Sequence, residues 1–143
     1  RSDFSLEKIS IYKDKIDPKL LALLRIYFLT EEDLKRNPEI NNYTEKDFKK
    51  MIHPENERLI FRLLIDNINR ELESLNARKV QISNSVKLPP GIDKDIFFTL
   101  DALNNFRQKI NNEDIYNAIK IGLEEEIILK KNLEFCTKQL RSL

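Results

Sequence analysis

At 143 residues, 41% of them apolar, the chain has material for one domain with a core of its own. Its formal net charge of +1 gives no global electrostatic reason to bind nucleic acid or an anionic membrane, and the basic stretches Lys46, Lys49, Lys50 and Lys130, Lys131 have acids interleaved with them, as solvated helix faces do. The lone Cys136 excludes an internal disulfide and points to an intracellular, reducing compartment, with cytoplasm, nucleus and organelle all left open. No apolar run approaches the ~18 residues that span a bilayer, and no signal peptide is visible.

Residues 5–13 read as a short extended lead-in, with Ile9 and Ile11 alternating with polar neighbours. Asp17 then caps a helix whose first position is Pro18, where a missing N–H costs nothing. Leu20, Leu21, Leu23, Leu24, Phe28 and Leu29 cover more than one face of that helix, which predicts deep burial. Thr30, with Asp33 three residues on, forms an imperfect capping box for a short helix that stops near Asn37-Pro38. Asn41 and Asn42 mark a turn, Thr44 caps a predicted helix over 45–52, and His53-Pro54 breaks the chain again.

The next helix is long, over about 54–75, because Ile60, Leu63, Leu64, Ile68, Leu72 and Leu75 recur at three- and four-residue steps. Residues 76–91 read as the principal irregular segment: Val80, Ile82 and Val86 alternate with polar residues, and Pro89-Pro90-Gly91 is a breaker. Helix returns over about 93–110 with Ile96, Phe97, Leu100, Leu103 and Phe106 on one side. After Asn111-Asn112 a final helix runs from about 113 towards 140, carrying Ala118, Ile119, Leu129, Leu133 and Cys136. The sum is an all-α fold: an irregular multi-helix bundle of about five or six helices, one domain over 1–143, with no constant-period repeat.

No catalytic residue and no metal site emerge from the residue types. His53, before a proline at a helix start, reads as a cap or surface residue rather than a general base. Cys136 lies on an apolar helical face and reads as core filler. One Cys and one His cannot close a zinc site of N/S ligands. Gly91 and Gly122 are the only glycines, too few for a phosphate loop. Glu124, Glu125 and Glu126 point about 100° apart on a helix and cannot converge on one ligand.

Three blocks in fixed order carry more information than any single residue. The first is an apolar helix with an internal arginine, Leu24-Arg25, leading into Thr30-Glu31-Glu32-Asp33-Leu34. The second opens Pro54-Glu55-Asn56-Glu57-Arg58, an asparagine–glutamate pair at a helix start. The third is Ala118-Ile119-Lys120 followed by Glu125 ahead of Ile128-Leu129. Together, over about 10–131, they resemble the helical substrate-binding domain that follows the SET domain in Rubisco-methyltransferase-like protein lysine methyltransferases. Glu126 departs from the lysine often found there, and residues 76–91 and the helix after them diverge.

The resemblance implies a piece of a longer SET-domain protein, and an opening Arg1 in place of Met fits that. It implies an N-terminal SET domain in cis that holds S-adenosylmethionine and transfers the methyl group. The present domain, with no cofactor and no SET catalytic signature of its own, would form one wall of the cleft and hold a protein substrate. Arg25, Asn56, Glu57 and Glu125 are then expected to be structural, since charges inside apolar blocks survive when paired. Arg25 is expected to bond Glu57 or Glu125. Substrate contact is expected from the irregular segment, through Lys79, Gln81, Asn84 and Lys87. The competing readings are a free-standing helical adaptor that takes a partner helix in an apolar groove, and a methyltransferase relative whose SET domain has lost its catalytic tyrosine.

Overall fold

A computed structural model describes residues 16–85 and 113–143. Among these the regular structure is helical throughout: α1 (Pro18–Tyr27), α2 (Glu31–Arg36), two 3-10 turns, η1 (Pro38–Asn42) and η2 (Asp47–Lys49), then α3 (Pro54–Ser85) and α4 (Glu113–Ser142). The all-α class stands, with four α-helices and two 3-10 turns described in place of the expected five or six helices. The extended lead-in, the helix over 93–110 and Lys87 lie outside the described residues. By compactness the chain divides into two units, Arg1–Ile68 with Lys131–Leu143, and Asn69–Lys130.

In the first unit the helix starts follow local chemistry. Asp17 Oδ1 accepts the Lys19 N–H at 2.9 Å, capping α1. Thr30 and Asp33 form a complete capping box: the Asp33 N–H donates to Thr30 Oγ1 at 3.1 Å, and the Thr30 N–H donates to Asp33 Oδ2 at 3.0 Å. The shorter aspartate thus closes a box usually made with glutamate. α1 is not buried all round as its leucines suggested. Leu24 is 0% exposed, whereas Leu23, about 100° away on the helix, is 48% exposed and Ile26 44%.

The helix expected over 45–52 is a single 3-10 turn. In an α-helix the Phe48 carbonyl would accept the N–H four residues on. Here it accepts Arg25 Nη1 at 2.9 Å instead, and Lys50 turns to extended backbone. That break delivers the Phe48 ring to a cluster with Ala22 and Ile40, against which Leu29, Leu34, Tyr43 and Ile52 pack. Tyr43 meets Phe48 edge-to-face at 5.6 Å, and α1 packs against η2.

α3 buries Ile60, Leu64 and Ile68, spaced one helical turn apart. Phe61 meets Phe135 of α4 edge-to-face at 6.3 Å, and Arg58 Nη2 donates to the Leu143 carbonyl at 2.9 Å. Ascending positions on α3 meet descending ones on α4, so these stretches run antiparallel. Cys136 is fully buried, and burial pushes its thiol up to about 12. At neutral pH it therefore carries almost no thiolate, the nucleophilic form. Native protein is expected to resist Ellman's reagent and to react stoichiometrically once unfolded in guanidinium. Rapid labelling of the native chain would contradict this burial.

In the second unit α3 continues to Ser85, so residues 76–85 are helix rather than the expected irregular segment. They contain neither Gly nor Pro, and Ala77, Arg78, Lys79 and Gln81 are strong helix formers. The alternation of Val80 and Ile82 is coincidental, since Ile82 continues the Leu72, Leu75 stripe while Val80 is half exposed. α4 buries Tyr116, Ile119, Leu123 and Leu129.

Candidate functional site

Two arrangements of side chains stand out, one in each unit. In the first unit a polar knot surrounds the start of α3. His53 caps that helix, its Nδ1 accepting the Glu55 N–H at 3.2 Å and its carbonyl accepting the Glu57 N–H at 3.1 Å. Asn56 and Glu57 therefore fall in the first turn, where a carboxylate is favoured by the helix dipole.

Arg25, in the last turn of α1, reaches this carboxylate with both arms of its fork. Nη2 donates to Glu57 Oε1 at 2.5 Å and Nε donates to Oε2 at 3.2 Å. With Nη1 on the Phe48 carbonyl, all three guanidinium nitrogens donate within the unit, tying α1, η2 and α3 together. Arg25 is 8% exposed and Glu57 4%. Of the two partners left open by the sequence, Glu57 is the one bonded. Glu125 lies in the second unit and faces Arg78 at 3.9 Å.

Asn56 adds a second tie by donating from Nδ2 to Asp33 Oδ2 at 3.1 Å. Burial tends to raise the Asp33 carboxyl, but hydrogen bonds from Asn56 and Thr30, and the nearby His53, outweigh it and hold the group below its ordinary 3.8. A depressed carboxylate contributes stability above its unfolded value and loses it as pH falls through the folded one. Wild type is therefore expected to lose slightly more stability than Asp33→Asn as pH drops from 5 through 3.8 and below, measured by urea unfolding. Parallel pH profiles would count against this tie.

In the second unit α3 and α4 border an open groove of about 220 Å³. Leu72, Leu75 and Ile82 line it from α3, and Ile119, Gly122 and Leu123 from α4. Of the residues expected to contact substrate, Lys79 lines this groove, while Gln81 and Asn84 are exposed on the same helix. The structure thus places those three on a helix, not a loop. Arg78 and Lys79 on α3 face Glu125 and Glu126 on α4 at 3.9 Å each, and Lys130 holds Glu126 at 2.9 Å. Sequence reading missed the groove itself; its one local signal was small Ala118 and Gly122, a turn apart on an amphipathic helix. A second hollow, beside the start of α1, mixes Lys19, Lys46 and Lys49 with Asp17 and Glu45.

No helix among the described residues is long and apolar enough to cross a membrane, and no group of three His, Cys, Asp or Glu among them is arranged to hold a metal ion. The described residues thus form an all-α fold with a mostly apolar groove in the second unit. The family model of the Rubisco LSMT substrate-binding domain matches residues 2–129, and the chain belongs to that family. No curated protein and no solved structure matches it.

Proposed function

We propose that the chain is the protein-substrate recognition domain of a SET-domain protein lysine methyltransferase. The family match over nearly the whole chain carries this reading. S-adenosylmethionine and the methyl transfer belong, on this reading, to a SET domain that precedes the chain in the same polypeptide. The domain's own contribution is binding: contacts remote from the reacting lysine hold the substrate and supply positioning, without proton transfer. Lys79, Gln81 and Asn84 on α3, with Lys87, are the proposed substrate contacts. The reducing, intracellular compartment inferred from the lone cysteine belongs to the same proposal.

Sequencing the parent transcript upstream of Arg1 tests it. An intact SET sequence joined to this piece supports the reading, and methylation of peptide arrays by that parent would follow. An unrelated domain or an in-frame stop would sink it and leave a helical adaptor. A SET sequence without its catalytic tyrosine would leave recognition without transfer.

A further inference from the structure

We draw no further inference here: the strongest candidate, the half-exposed apolar face that Leu23 and Ile26 present on α1 in the first unit, carries nothing because nothing in the structure shows what covers it.

Discussion

Replacing Arg25 with alanine is expected to lower the free energy of unfolding by about 3–5 kcal/mol, since breaking a buried ion pair strands the surviving charge. Arg25 and Glu57 are both almost wholly buried, and alanine also leaves the Phe48 carbonyl without its guanidinium donor. That loss is a large share of the roughly 5–15 kcal/mol that holds a domain folded. Removing both charges together, as in Arg25→Met with Glu57→Leu, should cost clearly less than the two single changes summed, because neither charge is then left alone. Urea unfolding of the four proteins closes the cycle. A loss below about 1 kcal/mol for Arg25→Ala, or strict additivity, would mean that the pair is not buried as described.

Leu24→Ala should be nearly as damaging, at about 2–5 kcal/mol, because it leaves a cavity where a fully enclosed side chain stood. Its neighbour supplies the control. Leu23→Ala removes the same atoms from a half-exposed position and is expected to change stability by roughly 0.5 kcal/mol or less. Thermal unfolding should therefore separate two adjacent leucines by several kcal/mol, given the ~2–5 kcal/mol cavity cost at one of them. Equal effects would contradict the orientation of α1.

The same two residues show where sequence reading loses resolution. A run of leucines announces a buried helix, but the face that meets the core depends on what lies opposite. The family resemblance has the same character. It rests on block order, a property of the chain alone, and it points to the same family that the family model matches. It could not locate the groove, whose walls come from stretches of α3 and α4 far apart in sequence.

The sequence by itself determined the all-α class and the caps at Asp17 and Thr30–Asp33, together with the break at His53-Pro54. It could do so because caps and breakers act over three or four residues, and each turn carries its own donors and acceptors. Tertiary structure alone decided three other things. It stopped a helix over 45–52, because Arg25 claims the Phe48 carbonyl from 23 positions away. It chose Glu57 over Glu125 as the arginine's partner, since one carboxylate is brought to α1 and the other faces Arg78. It also set Gly122 in the wall of a groove between α3 and α4. Each of these outcomes depends on groups distant along the chain becoming neighbours, and no local pattern encodes which of several chemically adequate partners arrives.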